Sequence, residues 1–199
     1  MKEMHPERIF MSSGGQLRMS EALEKGLSRY MLYKLKERNI IEQVSRGVYR
    51  LTDLPSIGNP DLVTITLRIP KAVICLVSAL SWHELTTQIP HSVSIALPRN
   101  TNTPVLDYPI VQVHRFSEAS YSSGIEKHLV DAVAVRIYNA EKTIADCFKY
   151  RNQLGMDVFL EALKKYSLRK KRDYDGILRY AQINRVEKLI RPYLEVSSI

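Results

Sequence analysis

The chain has 199 residues, 45% hydrophobic and 25% charged, a composition that suits a packed core and excludes disorder as the default state. Its formal net charge of +8 sits at the ends: residues 1–55 carry ten basic against seven acidic side chains, residues 56–141 six against seven, and residues 142–199 thirteen against seven, so a polyanionic partner would meet the ends. Two cysteines, Cys75 and Cys147, in separate apolar runs exclude a disulfide framework and point to a reducing cytoplasm; no stretch has the pattern of a signal peptide, and the longest apolar-rich run, Ala72 to Leu85, is too short and too polar to cross a bilayer.

The first fifty residues read as short elements. His5 to Met11 starts a helix with Pro6 in its first turn, and Ser12-Ser13-Gly14-Gly15 breaks it. A second helix spans about Ser20 to Lys25 and ends at Gly26. Ser28 is the N-cap of a third, Arg29 to Arg38, in which Leu32 and Leu35 share one face. Ile41 to Val44 and Val48 to Leu51 then flank Ser45-Arg46-Gly47 as a hairpin. This order is that of a winged helix-turn-helix, over residues 1–54.

Two prolines and a glycine between Asp53 and Asp61 make residues 55–61 a linker. The remainder, 62–199, reads as an α+β domain with a β-sheet and a C-terminal group of helices. Strands are expected at Leu62 to Leu67, Ser92 to Leu97 and Ile110 to Phe116, with a hairpin from His128 to Tyr138. Helices are expected at Lys71 to Leu85, at Ala140 to Asn152 behind an Asn139 cap, at Asp157 to Tyr166, Tyr174 to Asn184 and Val186 to Val196, with Pro192 a kink in the last.

In a helix-turn-helix the second helix enters the major groove and reads base edges from its N-terminal end. Here that end carries Ser28, Arg29 and Tyr30, with Tyr33 and Lys34 one turn on. Arg29 suits guanine or a phosphate; the tyrosines suit thymine methyls or phosphates. Lys34, Lys36 and Arg38 suit phosphate neutralisation, Arg46 at the hairpin tip suits the flanking backbone or the minor groove, and Arg18 is a further DNA-binding candidate. The same pattern also fits a module that binds protein, with the charges merely solvated.

The run Leu17-Arg18-Met19-Ser20-Glu21-Ala22-Leu23, then Gly26-Leu27-Ser28-Arg29, Leu32, Leu35 and Gly47-Val48-Tyr49-Arg50-Leu51 resembles the N-terminal domain of AbiEi-type antitoxins, of the type IV toxin–antitoxin class linked to abortive infection. The likeness continues through Ile69 to Leu76, Leu85 to Pro90, Ala96 to Arg99 and, most specifically, Lys142 to Arg151. It implies a transcriptional repressor that binds double-stranded DNA at its own operon without a cofactor, and a C-terminal domain that antagonises a toxin of the nucleotidyltransferase type.

Enzymatic signatures are missing. His83-Glu84 has Thr87 where a zincin needs its second histidine. None of the acidic residues has Lys two positions on, as restriction-type nucleases require, and Asp173-x-Asp175 lacks the glycine-serine loop of a nucleotidyltransferase. No metal site is expected. Two stretches offer a partner surface: Lys142, Asp146, Lys149 and Arg151 on one helix, and the cluster Arg169-Lys170-Lys171-Arg172. The rival readings are an interaction protein in which toxin neutralisation comes first, and a diverged nuclease or nucleotidyltransferase.

Overall fold

The computed structural model describes residues 6–54, 59–102 and 105–197. It is α+β. In chain order the elements are α1 (Pro6–Met11), β1 (Gln16–Arg18), α2 (Met19–Glu24), α3 (Arg29–Glu37), β2 (Ile41–Ser45), β3 (Val48–Leu51) and α4 (Pro60–Arg68). Then come β4 (Val73–Ile74), α5 (Leu76–Trp82), β5 (Val93–Pro98), β6 (Val111–Phe116), α6 (Glu118–Ser122), β7 (Ile125–Val130) and β8 (Val133–Tyr138). The chain ends in α7 (Ala140–Lys149), α8 (Arg151–Leu154), α9 (Met156–Ser167), α10 (Tyr174–Ile183) and α11 (Glu187–Ser197). These fall into two units: residues 1–70 with 128–135, and residues 71–127 with 136–199.

The first unit is a winged helix-turn-helix. Strands β1, β3 and β2 form an antiparallel sheet with β3 central, so every residue of β3 is buried. Phe10, Leu17, Ala22, Leu27, Leu32, Leu35 and Ile41 fill the core beside it. Ser28 caps α3 by accepting from the Met31 amide at 3.1 Å, and Gly47 at φ +74° closes the wing turn in the left-handed region that glycine enters freely. Sequence offers no signal for β1: three residues become a strand only by pairing with Val48 to Arg50.

Residues 62–67, expected as a strand, are the body of α4. Asn59 accepts from the Leu62 amide at 3.3 Å and Pro60 takes the first helical position. These are helix-start signals, and the burial of Leu62, Val63, Thr64 and Ile65 selects the helix they begin over a strand. The first unit therefore extends to Pro70, past the linker read from composition, whose residues 55–58 lie outside the described residues.

A mixed five-stranded sheet, β6-β5-β4-β8-β7, organises the rest; β5 runs parallel to β6 and antiparallel to β4, and β4 runs parallel to β8. The tip of the β7–β8 hairpin, residues 128–135, counts with the first unit. The apolar run expected as one helix from Lys71 to Leu85 divides instead into β4 and α5, with the Cys75 amide bonded to the Ser94 carbonyl at 3.0 Å. A strand buried on both faces has the same unbroken apolar pattern as a buried helix. In the second unit α7 is buried along its length, from Lys142 to Phe148, against α5, α9 and α10.

Candidate nucleic-acid interface

Helix α3 turns Leu32 and Leu35 inward and leaves Arg29, Tyr30, Tyr33, Lys34, Lys36 and the following Arg38 exposed. Tyr30 and Tyr33 are 70% and 71% exposed, far more than two large rings show when they serve a core. Nine helical residues span about 13 Å at about 1.5 Å per residue, a length that suits a major groove about 12 Å wide. Arg46 stands exposed at the wing turn. An open groove runs past Lys36, Asn39, Gln43, Ser45 and Arg46.

The cations on this face are held lightly. Lys34 pairs with Glu37 at 2.9 Å, with both side chains about half exposed, so the pair is solvent-screened and worth under about 1 kcal/mol. Lys36 donates to Oε1 of Gln43 at 3.2 Å. Among the described residues Arg29, Arg38 and Arg46 have no carboxylate partner, whereas Glu42, the acid of the wing, is paired with the buried Arg50 at 3.2 Å. Phosphate oxygens can replace these weak contacts without leaving a buried charge behind. Ser28 is committed to its cap, so its hydroxyl defines where α3 begins.

Arg18 does not belong to this face. It is half-buried and donates to the Thr66 carbonyl of α4 at 3.1 Å, and burial lowers its pKa from the usual arginine value, with Glu21 opposing. It ties α4 to β1, and its Nε is buried away from solvent. A residue that sequence reasoning misses is Arg68, at the end of α4, whose guanidinium donates to the Arg46 carbonyl in the wing turn. Its signal is hidden because residues 62–67 read as a strand.

In the second unit the expected partner surface on α7 requires correction. Lys142 and Asp146 are both 0% exposed and meet at 2.5 Å, so they cannot face a partner. The ammonium also donates to Oγ of Ser120 at 3.2 Å and lies over the rings of Tyr138 and Phe116, while Asp146 accepts from Nδ2 of Asn184 at 2.6 Å. The pair is a core network tying α6, α7 and the end of α10. Around it, burial pushes the thiols of Cys75 and Cys147 and the phenol of Tyr138 well up, and the Asp146 charge pushes the same way. Lys149 and Arg151 are half-buried; Arg151 donates to the Phe148 carbonyl at 2.9 Å.

Within the second basic cluster, Arg169 is half-buried and bonded to the His83 carbonyl, and Arg172 donates to the Ser167 carbonyl at 2.8 Å; Lys170 and Lys171 are exposed. Asp173 is the N-cap of α10, accepting from the Gly176 amide at 2.7 Å, and pairs with Arg179 at 2.8 Å, which accounts for an acid at that position without catalysis. Among the described residues no group of three or more His, Cys, Asp or Glu is placed to hold a metal, and no helix is long and apolar enough to cross a membrane.

Residues 6–52 match the model of a family described as transcriptional regulator, AbiEi antitoxin. No curated protein matches the chain. Among solved structures the fold is similar to the crystal structure of the RV2827C protein from Mycobacterium tuberculosis, with a TM-score of 0.59 over 92% of this chain and 72% of that one, at 12% identity; a likeness at that identity concerns the fold alone. The matched segment holds α1 through β3, and with them the exposed face of α3 and the wing: what this chain has in common with the AbiEi antitoxin family of transcriptional regulators is a likeness over residues 6–52.

Proposed function

We propose that this chain is a cytoplasmic repressor of its own operon, binding double-stranded operator DNA through α3 and the β2–β3 wing, and an antitoxin to a nucleotidyltransferase-type toxin. The observation that carries the reading is the solvent-facing side of α3, with Arg29, Tyr30, Tyr33 and Lys34 beside an exposed Arg46 and no carboxylate committed to either arginine among the described residues. Mechanism is occupancy. Arg29 and the tyrosines enter the major groove, Lys34, Lys36 and Arg38 neutralise phosphates, and Arg46 contacts the backbone beside the site. No cofactor takes part.

The test is a fluorescence-anisotropy titration of DNA from upstream of the gene against unrelated DNA, over a range of salt. Affinity should fall steeply with salt. Lys34→Ala should weaken binding to both DNAs alike and reduce the log–log salt slope by about one, and Arg29→Ala should lose about 1–3 kcal/mol, mostly on the upstream DNA. If neither substitution alters the titration, α3 is not the reading helix. The antitoxin half predicts a nucleotidyltransferase reading frame next to this gene, whose product loses its toxicity when this chain is co-expressed.

A further inference from the structure

A separate cationic centre lies in the second unit. Lys149 ends α7, and its ammonium donates at 3.3 Å to Oδ1 of Asn184, the buried residue that follows α10. It lies 5.9 Å from the ring centroid of Tyr150. Arg185 comes directly after Asn184 with φ +60°, a left-handed backbone uncommon for a bulky side chain and a form of strain that concentrates at functional sites. Arg99 comes directly after β5, whose last residue Pro98 pairs with Phe116, and Phe116 stacks on Tyr150 at 5.8 Å. The positive charges of Lys142, Arg99 and Arg185 all act to lower the Lys149 pKa. With burial, the largest influence, they hold its ammonium below the usual lysine range against the pull of Asp146.

Lys142 has its own counter-charge in Asp146, whereas Lys149 has no ion-pair partner among the described residues. Arg99 and Arg185 are exposed and have no carboxylate partner among the described residues. Asp146, the carboxylate felt at Lys149, already faces Lys142 at 2.5 Å and Asn184 at 2.6 Å. His114, 7% exposed, sets its ring edge-on to Tyr150 at 5.5 Å and leaves its Nε2 without a hydrogen-bond partner.

We propose that Lys149, Arg99 and Arg185 form a binding site for the phosphate group of a small molecule, either inorganic phosphate or a nucleotide. Two guanidinium forks and one ammonium match the charge and the acceptor oxygens of a phosphate, which relieves their mutual repulsion. Lys149 is half-buried against Tyr150 and Asn184, so a terminal phosphate can reach it more readily than the continuous backbone of a duplex. The site is independent of the DNA-binding reading, because all its residues lie in the second unit.

The experiment is a two-dimensional amide NMR titration of the full chain with sodium phosphate and with ADP, against sodium chloride at matched ionic strength. Saturable shifts are expected at the amides of Asn184, Arg185 and Arg99, at least about tenfold weaker in Arg99→Gln and in Arg185→Gln; both side chains are exposed, so the fold survives either change. Equal affinity for phosphate and ADP identifies the phosphoryl group as the whole ligand, and tighter ADP binding identifies a nucleotide. Shifts no larger than those from chloride, shifts that persist unchanged in both variants, or a response to duplex DNA and to neither small phosphate would overturn the proposal.

Discussion

Removing the Asp146 carboxylate should damage the second unit far more than a lysine–aspartate pair one helical turn apart would ordinarily suggest. Exposed, such a pair is worth about 0.3–0.5 kcal/mol. Here both partners are 0% exposed. In Asp146→Ala the Lys142 ammonium keeps one neutral acceptor, Ser120 at 3.2 Å, and two ring faces, Tyr138 at 4.7 Å and Phe116 at 4.9 Å. Those contacts exist already, so they offset nothing new. Stranding a buried charge costs about 3–5 kcal/mol. Asn184 also loses its acceptor, but effects within one network do not add, so about 3–5 kcal/mol stands for the whole. At about 2–4 °C per kcal/mol for a chain of this size, the melting temperature should fall by about 6–20 °C. Lys142→Met with Asp146→Leu removes both charges and should recover about half of the loss, leaving about 1–3 kcal/mol for the unsatisfied Asn184 amide. The single tryptophan, Trp82 on α5, reports this unit in a urea titration. A loss below about 1 kcal/mol in Asp146→Ala, or a double variant less stable than the single one, would refute the account of a core held by charge.

Arg18→Ala should lower stability by about 1–2 kcal/mol through the freed Thr66 carbonyl while leaving the salt slope of DNA binding unchanged, measured by urea unfolding and by anisotropy; a reduced slope would return Arg18 to the DNA face. Burial holds the His114 imidazole below the usual histidine range, with Asp146 opposing. The unfolded chain therefore binds more protons than the folded one once pH falls below about 6.5, so this share of stability is complete above that value and is lost as pH falls through the window beneath it. The urea midpoint should drop between about pH 7.5 and about pH 5.5, and His114→Phe should flatten the decline; an unchanged decline would assign it to other groups.

The winged part is legible in sequence because its determinants are local. Ser28 caps α3, Leu32 and Leu35 mark its inner face, and Gly47 marks the wing turn, each within a few residues of what it controls. Legibility fails where the deciding partner is distant. Lys142 and Asp146 have the spacing of a surface pair, and what makes them core is Ser120, 22 residues away, and Asn184, 38 residues from Asp146. Arg18 has the look of a DNA contact until Thr66, 48 residues on, takes its guanidinium. At Leu62 to Leu67 the failure is one of weighting: Asn59 and Pro60 are turn formers in a linker and cap and first turn in a helix, and only the packing of Leu62, Val63, Thr64 and Ile65 decides between them.

The tether from Arg68 to the Arg46 carbonyl bears on how the molecule can be dissected. The segment that matches the family model stops at Thr52, yet the wing loop leans on a helix that ends sixteen residues later. A fragment excised at that edge would retain its reading helix and surrender the prop that sets the height of the loop, and Arg18 would lose its anchor in the same cut. The smallest piece that keeps both supports runs through Arg68, so a weak-binding shorter fragment would report a missing strut and not a poor operator.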